Sequence, residues 1–189
     1  MESVTLRTDR LILRPPTATD VDAITKACQD PEIPRWTTVP SPYTREQGEA
    51  FVNLVAEWWA SGNETVWGIF HDDLLVGVVG LHHITLHGTG GAAELGYWAT
   101  AESRGHGFMV EAARAVIDWG FATLGLARIH WQAVAGNVPS ARTARALGFR
   151  YEGLQRQVLT SPRGRDDGWV AGLLPTDDRA PVEWPMLRL

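Results

Sequence analysis

The stretch ESRGHGFMVEAARA, residues 102–115, sets Gly105 and Gly107 on either side of His106 and then runs into a helical pattern with no further glycine or proline. A helix that starts behind glycines exposes several unpaired backbone N–H groups, and its dipole adds partial positive charge at the same end. That end is an anion site. Glycine lets a bulky phosphate approach the backbone, and Arg104 beside the turn can add a charge-assisted contact. A P-loop would need Lys-Ser or Lys-Thr behind the glycines, and neither follows. A dinucleotide fold would need a third glycine three residues after Gly107, where Val110 stands, and strands joined in βαβ units. What remains is a diphosphate held by backbone amides without metal, which suits a carrier such as coenzyme A. The alternative is a tight strand-to-helix turn with no ligand.

Other reactive side chains are scattered. Of the histidines His71, His82, His83, His87, His106 and His130, the run HHITLH invites a metal reading. In a regular strand, however, His82 and His83 point to opposite faces, and no cysteine or acidic residue has ligand spacing, so no metal is expected. His82 or His83 could still line a cleft. At His106 the backbone matters more than the ring. Cys28 has no accompanying motif and reads as a small core residue rather than a nucleophile.

These residues need a scaffold, and 189 residues with 44% hydrophobic content suit one domain spanning residues 1–189. A net charge of −5 without a Lys/Arg run argues against nucleic acid or an anionic membrane as partner. One cysteine excludes an intramolecular disulfide, and the charged start MESVTLRTDRLILRP lacks the apolar run of a secretory signal. No segment approaches the roughly 20 apolar residues of a membrane span. A cytoplasmic setting is the default expectation.

Alternation in TLRTDRLILRP predicts an opening strand closed by Pro15 and Pro16. TATDVDAITKACQD reads as a helix ended by Pro31, followed by a loop with Pro34, Pro40 and Pro42. Thr44 and Gln47 form a capping-box pattern ahead of a helix that stops at Gly62. ETVWGIFH, LLVGVVGLHHITL and AAELGYWAT read as three consecutive antiparallel strands, the first two joined at Asp72 and Asp73. A helix follows over residues 106–124, then the strand ARIHWQAV, the helix NVPSARTARALG, and the strands FRYEGLQRQVL and DGWVAGLL. The expected architecture is a mixed α/β (α+β) domain, a mostly antiparallel sheet of about seven strands flanked by about four helices.

The pairing of ELGYWATAESRGHGFMVEAARAVIDWGF with NVPSARTARALGFRYEG some thirty residues later resembles the GNAT superfamily of acyl-CoA-dependent N-acyltransferases, within it the RimJ/RimL branch of ribosomal-protein N-terminal acetyltransferases. The resemblance runs from LRTDRLILRPPTATDVDAI to DGWVAGLL. One departure is Glu102, where the broad family pattern has Gln or Arg. The resemblance implies acetyl-CoA, or another acyl-CoA, as cosubstrate. The backbone at Trp98, Ala99 and Thr100 would pair with the pantetheine arm, and amides of Arg104, Gly105, His106, Gly107, Phe108, Met109 and Val110 would hold the diphosphate. A backbone N–H near Trp98 or Ala99 could polarise the thioester carbonyl. Asn137 would contact the coenzyme arm and Ser140 would protonate the leaving sulfur, while both also fit the start of a helix as cap and first-turn residue. No tyrosine occupies the later helix position that many family members use, where Thr143, Ala144 and Arg145 stand.

Glu94 is the best candidate base, since in a regular strand it shares a face with Gly96 and Trp98; it reads equally as a solvated edge carboxylate. Trp67, Trp119 and Trp131 read as core. Trp36, Trp58 and Trp59 lie in the helical region that roofs the acceptor pocket in this family, so Trp36 and Trp59, with His83 and Glu94, are the candidate acceptor contacts, although Trp58 and Trp59 also fit a core stripe. The implied reaction is direct attack of a primary amine on the acyl thioester in a ternary complex. The acceptor implied by the branch is a protein N-terminal amine; a small-molecule amine, or a CoA-binding module without turnover, are the alternatives. A homodimer is compatible with all three.

Overall fold

The computed structural model describes residues 1–86, 88, 90–161 and 164–187. The opening run folds as two strands rather than one, β1 (Leu6–Arg7) and β2 (Ile12–Arg14), paired antiparallel with Leu6 opposite Leu13. Thr8 breaks the run: its N–H donates to the Leu11 carbonyl and its Oγ1 accepts from the Leu11 N–H, each at 3.0 Å. Such side-chain competition with the ladder is invisible to apolar periodicity.

Helices α1 (Val21–Ala27), α2 (Glu32–Trp36) and α3 (Arg45–Ser61) follow. The short α2 arises where the prolines suggested only loop, because proline is tolerated in a first helical turn, where its missing N–H has no partner to lose. α3 starts at the predicted capping box and ends on Gly62 at φ 77°. Then come β3 (Thr65–His71), β4 (Leu74–Thr85), β5 (Gly91–Ala99), α4 (Phe108–Leu124), β6 (Leu126–Val134), α5 (Val138–Ala146), β7 (Arg150–Ser161) and β8 (Gly164–Leu173). The described residues thus form eight strands and five α-helices, one more of each than the periodicity suggested.

One sheet runs in the order β1-β2-β3-β4-β5-β6-β8-β7. Every neighbouring pair is antiparallel except β5 and β6, which α4 connects as a crossover. Strand alternation gives the sheet two functional faces. Trp67, Val79, Leu81, Ala93, Leu95, Ile129 and Trp131 face α4, whose Ala112, Ala113, Val116 and Ile117 are fully buried against them. The opposite face carries Gly80 and His82, Glu94, Gly96 and Trp98, and His130 and Gln132, on the side of α1 and α3. The first face is core; the second is where polar groups collect.

Asp20 anchors α1 to this frame. It is 6% exposed and accepts from both Arg14 Nη atoms at 2.7 and 2.8 Å and from the Thr17 N–H at 2.7 Å. Burial pushes its carboxyl pKa up, but the Arg14 and Thr17 bonds outweigh this and hold it below the usual range. A depressed folded pKa contributes stability above the unfolded value, near 3.9, that is lost as pH falls through the folded value. Asp20→Ala is therefore expected to cost about 2 kcal/mol at pH 7, since Arg14 loses its carboxylate but keeps solvent, the Pro15 carbonyl and the Phe70 ring. Urea titrations at pH 7 and below pH 4 check this, with the gap between mutant and parent closing at the acid end.

Candidate active site

β5 and β6 separate halfway along their length. Their parallel register runs from Gly91 opposite Leu126 to Glu94 opposite His130 and goes no further. Beyond it, β4 holds β5 as far as Ala99 opposite Gly77, and β8 holds β6 as far as Val134 opposite Gly168. Each strand is pinned on its outer side, so the pair opens as a V. The inner edge of β5 over residues 95–99 offers peptide groups with no strand partner, and an extended polyamide can pair with such an edge.

The V leads to the glycine turn. The 3₁₀ segment Ala101–Ser103 is tied to β4: the Thr100 N–H donates to the Val76 carbonyl at 3.0 Å and Ser103 Oγ donates to the same oxygen at 2.6 Å. The Thr100 amide is thereby committed to β4, which corrects the expectation that it would pair with a bound arm. Arg104 bonds Asp30 at 2.5 Å and the Ala99 carbonyl at 3.2 Å, so its charge is partly neutralised. Glu102 is exposed on the 3₁₀ segment.

Gly105 and Gly107 have φ 80° and 77°. A methyl group on Gly105 would meet nothing within 4 Å, and one on Gly107 only Arg10 at 3.6 Å. Glycine is required here for its left-handed backbone, with open space where a side chain would project. Among the described residues, none of the amides of residues 105–110 has a protein acceptor. Consecutive N–H groups without an acceptor at a helix start are an arrangement that can hold an anion.

The underside of the turn is braced by residues that local pattern does not single out. Arg10 donates to the His106 carbonyl at 3.2 Å and pairs with Glu111 at 2.6 Å, while its guanidinium lies 4.8 Å from the centre of the Phe108 ring. His106 stacks on that ring at 5.6 Å. The burial penalty on Glu111 is outweighed by bonds from Thr8 and Arg10, which hold its carboxyl below the usual range. Arg10 lies in the first hairpin, so nothing in its own neighbourhood announces the contact.

Across the V, Asn137 Oδ1 caps α5 by accepting from the Ser140 N–H at 3.2 Å. Ser140 Oγ accepts from the Trp131 indole N–H at 3.1 Å and donates to Tyr97 Oη at 3.1 Å, and Tyr97 in turn donates to the Ser140 carbonyl at 3.0 Å. Burial pushes the Tyr97 phenol pKa up, so it stays protonated. A tyrosine from β5 thus stands beside Ser140, while the later turn of α5 carries none. Its signal was the alternation in GYWA, which sends Tyr97 and Trp98 to opposite faces.

Residues 10–150 match the acetyltransferase (GNAT) domain. The chain belongs to the GNAT acetyltransferase family. It is 33% identical over 156 residues to the uncharacterized N-acetyltransferase YoaA of Bacillus subtilis (strain 168), spanning 82% of this chain and 87% of that one. It is 31% identical over 173 residues to the uncharacterized N-acetyltransferase p20 of Bacillus licheniformis, spanning 90% and 96%. Among solved structures, Mycobacterium smegmatis RimJ in complex with CoA-disulfide has the same fold, with TM-score 0.82 at 21% identity over 92% of this chain and 87% of that one.

The remaining polar groups of this GNAT domain lie on the α1/α3 face. Glu94 accepts from Gln132 Nε2 at 2.8 Å and from His130 Nε2 at 3.3 Å. Burial raises its pKa, but the bonds and charge of His130, the bond from Gln132 and the charge of His83 outweigh this, leaving an ionised carboxylate that is a weak base. His83 is exposed at φ 51° in a bulge of β4, so it does not follow the strict alternation expected of the strand. His82 bonds Glu64 at 2.6 Å. Trp36 reaches toward the β6–α5 loop, where a methyl group on Gly136 would lie 3.9 Å from its ring.

Trp59 is a correction. It is 2% exposed, packs edge-on to Trp67 at 4.8 Å and donates its indole N–H to the Val66 carbonyl at 3.0 Å, so its ring is core and unavailable to an acceptor. Trp58, its neighbour, faces His82 at 6.4 Å instead. One residue along α3 turns a side chain by about 100°, which decides between the two. Cys28 is buried, its thiol pushed up to about 12 by burial. His87 lies outside the described residues. No three His, Cys, Asp or Glu side chains converge to hold a metal among the described residues, and no described helix is long and apolar enough to cross a membrane.

Proposed function

We propose that this GNAT domain transfers an acetyl group from acetyl-CoA to the α-amine of a polypeptide N-terminus. The observation that carries the reading is the run of six unpartnered amides over residues 105–110 at the end of the open β5–β6 slot. The residues fit the donor. Unpaired backbone on β5 suits the two amides of a pantetheine arm, and a turn with space at Gly105 suits a diphosphate. When bound, acetyl-CoA supplies an acetyl thioester as electrophile.

The chain's own residues do the rest. The β5 edge at Trp98 and Ala99 orients the donor and aims an N–H at the oxygen where negative charge develops. Asn137 borders the arm. Ser140 turns its hydroxyl proton from Tyr97 Oη to the departing sulfur while keeping the bond it accepts from Trp131. Glu94, held ionised, attracts and orients the incoming ammonium, and Trp36 and His83 border its approach. An α-amine with pKa near 7.8 is roughly 15% neutral at pH 7, against about one part in 2,500 for a lysine, so it asks least of the enzyme. The likeness to a putative ribosomal-protein-serine acetyltransferase from Vibrio cholerae, 26% identical over 91% of this chain, supports a protein acceptor.

Thiol release from acetyl-CoA, followed with N-terminal peptides, Nα-blocked lysine peptides and small amines, tests the proposal. Turnover fastest with free peptide N-termini is the expected result. A small amine outpacing every peptide would overturn the acceptor, and CoA binding without release to any amine would identify a non-catalytic CoA-binding module. Glu94→Gln is expected to raise the acceptor KM about tenfold or more, through loss of a charge-assisted contact, with CoA affinity unchanged.

A further inference from the structure

His82 and Glu64 form a pair whose geometry exceeds what packing requires. Glu64 Oε2 lies 2.6 Å from His82 Nδ1. A carboxylate only accepts, so Nδ1 carries the proton and, in the neutral ring, Nε2 presents its lone pair. The ring reaches over the two glycines that face each other across β4 and β5, Gly80 and Gly96. A methyl group on either would come within 3.0 Å of Nε2, so both positions must be bare for the ring to rest there. Trp58 stands edge-on to it at 6.4 Å, and its side chain keeps 29% exposure.

The place matters as much as the pairing. Gly96 lies just past the last β5–β6 rung at Glu94 and two residues before Trp98, so Nε2 sits at the point where the slot opens. Glu94 is the weaker competitor for the proton, because its two donors hold it ionised with a low proton affinity. The Nε2 of His130 is turned toward Glu94. The Nε2 of His82 has no hydrogen-bond partner among the described residues and rests against Gly96, two residues past the last β5–β6 rung.

We infer that His82 is the proton acceptor for the incoming amine and that Glu64 is the positioning residue that fixes its tautomer. This rests on the acetyl-transfer reading above. One ammonium proton passes to Nε2 and on to water, and the freed lone pair forms the C–N bond to the acetyl carbon. The C–S bond breaks, a second amine proton ends on the sulfur, and the third stays on the amide nitrogen. Atoms and charge balance with release of one proton to solvent.

The test compares the native chain with His82→Gln, His82→Asn and Glu64→Gln, using acceptors of different basicity: a peptide α-amine, a lysine side chain and a weakly basic hydrazide. The His82 variants are expected to lose kcat/KM on the order of 10²–10⁴-fold for the α-amine, more for lysine, and less than about tenfold for the hydrazide, which arrives already neutral. Glu64→Gln should show a smaller loss in the same order, and CoA affinity should not change in any of them. A loss equal for all three acceptors, or His82 variants within about threefold of the native rate, would overturn the inference. If the native chain binds CoA but acetylates none of the acceptors, the acetyl-transfer reading itself falls, and this inference with it.

Discussion

Exchange of both Gly105 and Gly107 for valine is expected to weaken CoA binding on the order of 100-fold while leaving the sheet assembled. Both residues hold φ near 80°, where a β-branched side chain costs about 1–2 kcal/mol, and each 1.4 kcal/mol is a factor of ten in affinity. The turn would relieve that strain by rotating peptide planes, which changes the direction of the amides around residues 105–107. Calorimetric titration with CoA reads the effect. The control is Gly125→Val at the other end of α4, where φ is 63° and a side chain also meets open space. It should cost similar strain without touching affinity. Equal loss of CoA binding in both variants would mean that the glycines serve only helix stability.

Trp59→Ala should destabilise the fold by about 3–5 kcal/mol, the cost of emptying a large aromatic site in a packed core. Trp59 is wedged between Trp67 at 4.8 Å and Trp119 at 5.8 Å and satisfies the Val66 carbonyl, so the truncation leaves both a cavity and an unpaired acceptor. Trp36→Ala is the comparison: it should change stability by less than about 1 kcal/mol, since Trp36 lies on the rim of the slot, and raise the acceptor KM. Urea denaturation of the two variants decides. A Trp59 variant of native stability with altered acceptor choice would return that ring to the site.

The glycine turn was legible in the sequence because its requirement is local. Two glycines before an apolar helical run specify a left-handed entry and a set of exposed amides, whatever packs around them. The capping box of α3 and the order of the later elements were equally local. The first hairpin was not, since Thr8 breaks the strand through its own hydroxyl. Nor was α2, hidden among prolines that a first turn accepts.

The candidate site divides in the same way. By itself, the sequence determined the glycine turn at the start of α4, the Asn137 and Ser140 start of α5, and a carboxylate on the strand ahead of the turn, because each position follows from residue type and short spacing. Only the tertiary structure decided which groups meet. It parts β5 from β6 after Glu94, brings Tyr97 and Trp131 onto Ser140, braces the glycine turn with Arg10, sends Trp59 into the core, and lays His82 over Gly80 and Gly96 under the hold of Glu64. These contacts depend on sheet register and helix rotation. They are set by burial summed over the whole domain, and no short stretch of chain contains that sum.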